Sequence, residues 1–410
     1  MSVGLARLEQ VHRVAVGALA LLVGLMEGPA QVALALTAVT TLATGRLRGY
    51  RPGVIELGVL VWVLAGYAGL LDTVAPHVSS AGALAPLHVL AVPVGARALR
   101  GLRLRPYVIL ALVGIGVNAA YGILQVLVGD LPLEEAIARR APLESLRDPE
   151  APHRMIMARG LFYNRLKLAH VGVVGLALAV LAALHGDKRD RWWAWLAAAV
   201  IGVAVLLTFR RAAPLALMVG FGALLLVRGK LRALPALVVA VGLLVAGLSF
   251  TGIGQRRAES FSHDVESRLW LFSLGLEIWR EHPLVGVGHG AYESIAEPRL
   301  PPNGHNDLQA TSPHNQALHV LAETGLLGAL GFFFALGWGL WRLGRRLHES
   351  WDPVDALAVL ALATLSALGA VHTVLYHPNV AIVWWLAMGV AVRRRSSGGA
   401  ERSEATAGPS

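Results

Sequence analysis

The sequence predicts an all-α integral membrane protein with about twelve transmembrane helices. Hydrophobic residues make up 55% of the 410 residues and charged residues only 15%. The mean hydropathy is +0.58, and apolar runs of bilayer-spanning length recur along the chain. The sequence contains no cysteine, which excludes disulfides and thiolate metal sites.

Twelve apolar segments divide the chain. They lie near 12–28, 30–45, 53–72, 81–98, 106–129, 168–185, 192–209, 212–228, 232–250, 315–341, 353–375 and 378–392. The first run lacks a small-residue cleavage site, so we expect a retained helix. One polytopic domain is predicted over 1–395, with a large periplasmic loop at 251–313 between the ninth and tenth spans. The tail at 396–410, rich in Ser, Gly, Ala and Glu, is predicted to be disordered.

The basic residues predict the orientation of these spans. Every short loop on one side carries Arg or Lys, whereas the short links at 27–30, 71–80 and 372–379 carry neither. The positive-inside rule therefore places both termini in the cytoplasm. This pattern also accounts for the net charge of +10 without nucleic-acid binding.

An arginine pair on the predicted outer side stands apart from this pattern. Arg210 and Arg211 end one span, and Pro214 begins the next almost at once. Two guanidiniums beside a helix N-terminus favour a phosphate or pyrophosphate ligand, because guanidinium binds phosphate oxygens through two parallel hydrogen bonds. The alternative is that both side chains reach lipid headgroups.

The loop at 251–313 is long enough to suggest a function. Its stretch DVESRLWLFSLGLEIWREHP predicts an amphipathic helix on the membrane surface, with Arg268 at the polar start either as a functional residue or as a solvated charge. Gly286, Gly288 and Gly290 follow, where the backbone can turn sharply or approach a ligand. No strand precedes them, so they are not a dinucleotide fingerprint.

The stretch SPHNQALHVLAETGLLGALG joins this loop to the tenth span. Pro313, His314 and Asn315 fall where a helix begins, and the spacing of Gly325, Gly328 and Gly331 predicts one tightly packed helix face. A neutral imidazole with a pKa near ~6.5 can accept a proton at neutral pH, so His314 is a candidate general base.

Two other roles for His314 stay open, namely capping the loop and binding a metal. The neighbouring histidines match no compact ligand spacing, which argues against a metal site. His319 and Glu323 are one helical turn apart and are predicted to form a structural pair.

These residues resemble the O-antigen ligase (WaaL) family. Its signature is His, then Asn, Ser or Gln, nine residues, Gly, two residues, and Gly, Thr or Tyr; His314, Asn315, Gly325 and Gly328 fit each position. The wider ligase and polymerase superfamily also has one or two arginines after a span, similar to TFRRAAPLAL here. An arginine before a Trp-containing helix that leads to a GVG turn is similar to Arg268 and the glycines after it. FYNRLKLAH resembles the family more loosely, and the likeness covers roughly residues 160–330.

The resemblance implies glycosyl transfer at the periplasmic face of a Gram-negative inner membrane. The donor would be undecaprenyl-pyrophosphate-linked O-antigen, and the acceptor a sugar hydroxyl of lipid A-core. His314 would act as base, and Arg210, Arg211 and Arg268 would hold the pyrophosphate. Further substrate or loop contacts are assigned to a set of four residues, Asn315, Arg159, His289 and Tyr292.

Neither a cofactor nor a metal is then required. A single base and a single attack imply inversion at the anomeric carbon. The partners are these two lipid-linked substrates and membrane lipid.

Three alternatives remain. An O-antigen polymerase or a protein O-oligosaccharyltransferase would use the same donor with another acceptor. A secondary transporter for an anionic lipid or sugar also suits twelve spans. However, transporter sites lie near the midplane of repeated folds, and no internal repeat is evident here.

Overall fold

The computed structural model describes residues 3–73, 78, 80–129, 131, 157–162, 164–249, 261–300 and 312–393. All regular elements in this part of the chain are helices, which confirms the all-α prediction there. The predicted tail at 396–410 and two parts of the predicted loop at 251–313, namely 251–260 and 301–311, lie outside the described residues.

The described helices follow one another with short connections. In chain order they are α1 (Val3–Leu22), α2 (Glu27–Ala43), α3 (Val54–Asp72), α4 (Ser80–Leu84), α5 (Ala91–Arg97), α6 (Arg105–Val128), α7 (Arg165–His185), α8 (Arg191–Leu207), α9 (Ala212–Val227), α10 (Leu234–Ser249), α11 (Phe261–Glu281), α12 (Tyr292–Ala296), α13 (Gln316–Glu349), α14 (Pro353–Gly369) and α15 (Pro378–Val392). Short 3-10 turns at Ala85–Leu90, Leu231–Ala233, Glu297–Arg299 and Val374–Tyr376 join some of them.

Four of these helices, α3, α6, α7 and α13, are long and apolar enough to cross a membrane. Each of the twelve predicted segments contains a helix, but others are shorter. The 17 residues of α14, for example, rise about 25 Å against a hydrocarbon core of roughly 30 Å. The count of twelve spans therefore stays a prediction.

Apolar side chains cover the outside of the bundle. Leu127 is 73% exposed, Val39 63% and Leu60 50%, and each lies on a helix whose other face is buried. Exposing so many apolar side chains to water is unfavourable, whereas contact with lipid chains is favourable. The apolar exterior and the four long helices together indicate a membrane protein.

The structure corrects four predicted segments. The first, predicted near 12–28, is the helix Val3–Leu22. The fourth segment is broken into α4, a 3-10 turn and α5, with Pro86 at the start of the turn. The tenth helix, predicted to end at residue 341, continues to Glu349. The eleventh, predicted to reach residue 375, ends at Gly369, and the chain then forms a loop over residues 370–377.

Helices α3 and α13 pack with their backbones in contact. A Cβ atom added to Gly58 would lie 2.7 Å from the carbonyl oxygen of Gly331, and one added to Gly331 would lie 2.5 Å from that of Gly58. Gly328 faces Ala65 in the same interface. Small residues allow this close approach, as predicted for Gly328 and Gly331.

Gly325 does not belong to that packing face. Its φ of 59° and ψ of −166° break α13 after three turns, so, contrary to the prediction, Gly325 does not share one helix face with Gly328 and Gly331. It packs against the backbone of Leu284, whose carbonyl carbon would lie 2.3 Å from an added Cβ. A left-handed φ of this kind suits glycine, because it has no Cβ.

The glycine-rich segment after α11 fills the break. Four backbone hydrogen bonds join this segment to α13. In each, an N–H donates to a carbonyl oxygen: Val287 to Ala322 (2.9 Å), Gly288 to Glu323 (2.8 Å), Leu326 to Pro283 (2.8 Å) and Leu327 to Leu284 (3.1 Å). They satisfy backbone groups that the interrupted helix leaves without an internal partner. The glycines of this segment therefore approach protein backbone, and α11 is fixed to the first third of α13.

Helix α11 packs on the protein through one face. Leu271, Leu274 and Ile278 are at most 3% exposed, whereas Leu269 is 61% exposed. Arg268 lies about two turns into this helix, so its predicted position at the start is wrong.

Candidate active site

His314 lies immediately before α13 and is held in place by its neighbour. The side chain of Asn315 accepts a hydrogen bond from the backbone N–H of Leu318 (3.0 Å) and so caps the helix. Its Nδ2 donates to the carbonyl oxygen of Ala370 (3.0 Å), beyond the end of α14. The predicted helix start is confirmed, and His314 is fixed against the 370–377 loop.

Backbone strain marks two positions of the described chain. His314 has a φ of 48° and Phe209 a φ of 50°, and they are the described non-glycine residues with positive φ. This conformation is unfavourable for an L residue and is often retained at functional sites. Phe209 directly precedes Arg210, so the strain occurs at both predicted functional segments.

Arg210 and Arg268 converge on His314 from different elements. Arg210 lies in the turn between α8 and α9, and Arg268 comes from α11, where its Nη1 donates to the carbonyl oxygen of Val371 (3.0 Å). The charges of both arginines act on His314 and on His372. Arg211 is the N-cap residue of α9.

The surroundings change the proton affinity of His314. Burial, and after it the guanidiniums of Arg268 and Arg210, lower its pKa to about 4. The sequence-based prediction of an ordinary pKa is therefore corrected. The imidazole is neutral at pH 7 and open to a proton, but it is a weaker base than a free histidine until a negative charge enters the site.

Three further histidines lie beside this group and were not predicted. His372 is 6.3 Å from His314 between ring centroids, and His170 lies 5.3 Å from His372 and 5.9 Å from His377. His170 is on the second turn of α7, and the other two bound the segment HTVLYH. The sequence signal for His372 and His377 was their occurrence in a short link that contains no Arg or Lys. Their proximity to His170 of α7 depends on the tertiary structure.

His289 and Tyr292 belong to a second polar cluster. His289 Nδ1 lies 3.8 Å from Glu323 Oε2, and His319 Nε2 lies 3.3 Å from the same oxygen. The ring of Tyr292 is 5.6 Å from that of His319, and the backbone N–H of Gly290 donates to Glu323 Oε1 (2.8 Å). The predicted His319–Glu323 pair is confirmed.

This second cluster borders a cavity of about 530 Å³. Its polar lining includes an ion pair between Lys167 and Glu27 and the side chains of Gln316, His319 and Glu323. His314, Arg210 and Arg268 do not line it. The structure thus separates His289 from the group around His314.

Arg159 is fully buried in the segment that leads into α7. Its backbone N–H and that of Gly160 both donate to the side-chain oxygen of Gln125 on α6 (3.2 and 2.9 Å). Arg159 therefore lies where α6 meets the segment that precedes α7.

The arrangement unites two guanidiniums and a neutral, strained histidine at one end of the helix bundle. Such a group can hold an anion and accept a proton beside it. Residues 196–333 match the family model described as O-antigen ligase, Wzy_C. No curated protein matches the chain.

The matched segment runs from α8 into the middle of α13 and contains Arg210, Arg211, Arg268 and His314. It supports assignment to the O-antigen ligase and polymerase superfamily and an activity of that type. His170, His372 and His377 lie outside it.

Proposed function

We propose that this protein is an O-antigen ligase. It transfers O-antigen polysaccharide from undecaprenyl pyrophosphate to a sugar hydroxyl of lipid A-core. It does so in the inner membrane of a Gram-negative cell, with both termini cytoplasmic and the site facing the periplasm. The single observation that carries the proposal is the convergence of Arg210, Arg268 and His314 within the family-matched segment.

The chemistry follows from these three groups. His314 removes the proton of the acceptor hydroxyl as that oxygen attacks the anomeric carbon. The bond from the anomeric carbon to the pyrophosphate oxygen breaks, and its electron pair remains on the pyrophosphate. Arg210 and Arg268 stabilise the growing charge through charge-assisted hydrogen bonds. One displacement inverts the anomeric centre, and the guanidiniums supply the positive charge, so the proposed reaction needs no metal ion.

The remaining predicted residues have supporting roles in this proposal. Arg211 is the second guanidinium at the start of α9 and contacts the distal phosphate or a lipid headgroup. Asn315 positions His314, and Arg159 with Gln125 fixes the entry to α7. His289 and Tyr292 act at the cavity, away from the reacting bond.

An O-antigen polymerase or a protein O-oligosaccharyltransferase is the main alternative, because the same superfamily match and the same donor site fit either. These enzymes differ from the ligase in the acceptor. A transporter is a weaker alternative, since the polar groups collect at one end of α13 instead of its middle.

The acceptor is tested directly with purified protein in detergent. Lipid-pyrophosphate-linked O-antigen is supplied with lipid A-core, with a second lipid-linked glycan, or with an acceptor protein, each with EDTA present. Transfer to lipid A-core alone supports the ligase. Transfer only to one of the other acceptors identifies a polymerase or an oligosaccharyltransferase, and a requirement for added metal contradicts the proposed mechanism.

A further inference from the structure

Three histidines form a buried cluster next to the proposed reaction site. His170, His372 and His377 are 1%, 4% and 8% exposed. The ring of His170 lies 5.3 Å from that of His372 and 5.9 Å from that of His377. We call these three residues the histidine cluster. It lies between α7 and the 370–377 loop. Its member nearest to His314 is His372, whose ring centroid is 6.3 Å from that of His314.

Four of the six ring nitrogens of this cluster are buried without a hydrogen-bond partner among the described residues. Both nitrogens of His170 and the Nδ1 atoms of His372 and His377 have no hydrogen-bond partner among the described residues. Leaving a buried polar group unpaired is unfavourable, so native proteins rarely keep several together without a ligand or function. A neutral imidazole offers one N–H donor, and a protonated one offers two.

The groups around the cluster favour an anion as that ligand. His372 faces His170 of α7, Arg210 of the α8–α9 turn, Arg268 of α11 and His314. Burial first, and then these basic groups, lower the pKa of His372 well below its usual value. Its ring is therefore neutral at pH 7 before any ligand binds.

His377 is in a similar position at the start of α15. It faces His170, His314 and Lys167, which forms an ion pair with Glu27. Burial and these neighbours also lower the pKa of His377 well below its usual value. No group of three or more His, Cys, Asp or Glu side chains in the described residues has the arrangement of a metal site.

We propose that the histidine cluster is the inner part of the donor diphosphate site and takes up a proton when the diphosphate binds. The inference rests on the proposed function, in that it takes the donor to be an isoprenyl diphosphate. The negative charge of the diphosphate favours the protonated imidazole, and that imidazolium donates charge-assisted hydrogen bonds to the phosphate oxygens. The cluster thus supplies positive charge only when the donor is present.

This proton differs from the one removed during transfer. The acceptor hydroxyl gives its proton to His314 as its oxygen bonds to the anomeric carbon. The broken bond leaves an electron pair on the diphosphate, whose charge becomes more negative by one. A proton already on His372 or His377 stabilises that product, in addition to Arg210 and Arg268.

The test measures binding and protons together. Farnesyl diphosphate is titrated by calorimetry into the full-length protein in detergent, in two buffers of different ionisation enthalpy, between pH 6 and pH 8. We expect net proton uptake, and an affinity that rises as pH falls by up to about tenfold per pH unit for one linked proton. Farnesyl diphosphate titrates by itself, so the decisive quantity is the difference in uptake between wild type and variants.

His372→Gln and His377→Gln remove the proposed proton acceptors. Each is expected to reduce the uptake and flatten the pH dependence of affinity, with an unchanged thermal unfolding temperature as evidence of folding. His348→Gln, near the far end of α13, makes the same chemical change away from the site and should behave as wild type. His372→Asn gives a second side-chain shape if the first variant does not fold. Uptake that stays at the wild-type level in folded variants at both positions overturns the inference.

Two further ligands identify the source of the phosphate. Inorganic pyrophosphate lacks the lipid chain, so it should bind more weakly but show the same difference in proton uptake between wild type and variants. Phosphatidylglycerol, with a single phosphodiester, should show no uptake; equal uptake with it would make this a lipid headgroup site and contradict the inference. The calorimetry contains neither glycan nor acceptor, so it is independent of the transfer assay described above. Failure of glycosyl transfer in that assay would refute the proposed function alone. Normal transfer without proton uptake on diphosphate binding would refute this inference alone.

Discussion

His314 combines a strained backbone, a helix start and a cationic setting. The φ of 48° directs the residue out of the helix that begins at Gln316, and Asn315 fixes that start. The helix start was predictable, because Pro, His and Asn before an apolar run form a local signal. The lowered pKa was not, since it arises from burial and from Arg268 and Arg210, which are distant in sequence.

The charge of Arg268 gives a prediction about pH dependence. Burial is the larger cause of the low pKa of His314, and Arg268 is the next. In Arg268→Gln the pKa of His314 should therefore rise from about 4 towards its usual 6.5. The acid limb of kcat/KM for glycan transfer, which reports the free enzyme, should move to higher pH.

The same substitution should also lower kcat/KM on its plateau. A charge-assisted hydrogen bond to the diphosphate contributes on the order of 1.5 to 3 kcal/mol. That corresponds to a loss of roughly 10- to 100-fold. Arg280→Gln is the matched control, because Arg280 is an exposed arginine in the last turn of the same helix. An acid limb at the same pH in wild type and Arg268→Gln would show that the guanidinium does not act on the base.

At the scale of elements, the break in α13 connects the two functional segments. The glycine-rich segment after α11 bonds to both sides of Gly325, so the position of Arg268 on α11 depends on this junction. The sequence predicted tight packing for Gly328 and Gly331, which the contact with α3 confirms. The break itself depends on a segment some forty residues upstream, and local periodicity carries no signal for it.

Gly325→Ala tests the junction. An added Cβ would lie 2.3 Å from the carbonyl carbon of Leu284, at a φ that an L residue rarely adopts. We expect a loss of stability of about 1–3 kcal/mol and a lower unfolding temperature in detergent.

Gly337→Ala is the control on the same helix, where an added Cβ meets nothing within 4 Å. It should be neutral or slightly stabilising, because Ala favours a helix over Gly by roughly 0.5–1 kcal/mol. Equal unfolding temperatures for the two variants would contradict the role given to Gly325.

At the scale of the whole molecule, a buried network of ion pairs connects α13, α14 and the end of α15, at the end of the bundle opposite His314. Asp355 is fully buried on α14 and contacts Arg346 of α13 (3.0 Å) and Arg393 after α15 (3.3 Å). Arg346 lies in the last turn of α13 and Arg393 directly follows α15, both at the side predicted to be cytoplasmic. The structure adds that both also bind a carboxylate within the protein.

Asp355→Asn should destabilise the protein strongly. Removing one partner of a buried ion pair leaves uncompensated charge and costs roughly 3–5 kcal/mol. Glu349→Gln is the control, because its pair with Arg345 is more than half exposed and contributes at most about 1 kcal/mol. Thermal unfolding in detergent measures both, and a small effect of Asp355→Asn would show that the network is not structural.

Prediction from sequence was most successful for features that are local or periodic. Helical content, the start of α13 and the close packing of Gly328 and Gly331 follow from composition, capping and glycine spacing, whereas the partner helix α3 was not predicted. The histidine cluster, the separate position of His289 and the large cavity could not be predicted, since each depends on which loops meet at one end of the bundle. Arg210 was predicted as one of a pair, and its position beside His314 and His372 depends on the tertiary arrangement.

The most direct test of the central claim is the rate of O-antigen transfer to lipid A-core by purified protein carrying His314→Gln. The matched control is His282→Gln, a half-buried histidine beyond the end of α11. We predict that His314→Gln lowers the rate by at least the roughly 100-fold expected of a lost general base, with folding and donor binding retained, while His282→Gln keeps wild-type activity. Transfer by His314→Gln at the wild-type rate would contradict the assignment of His314 as the base.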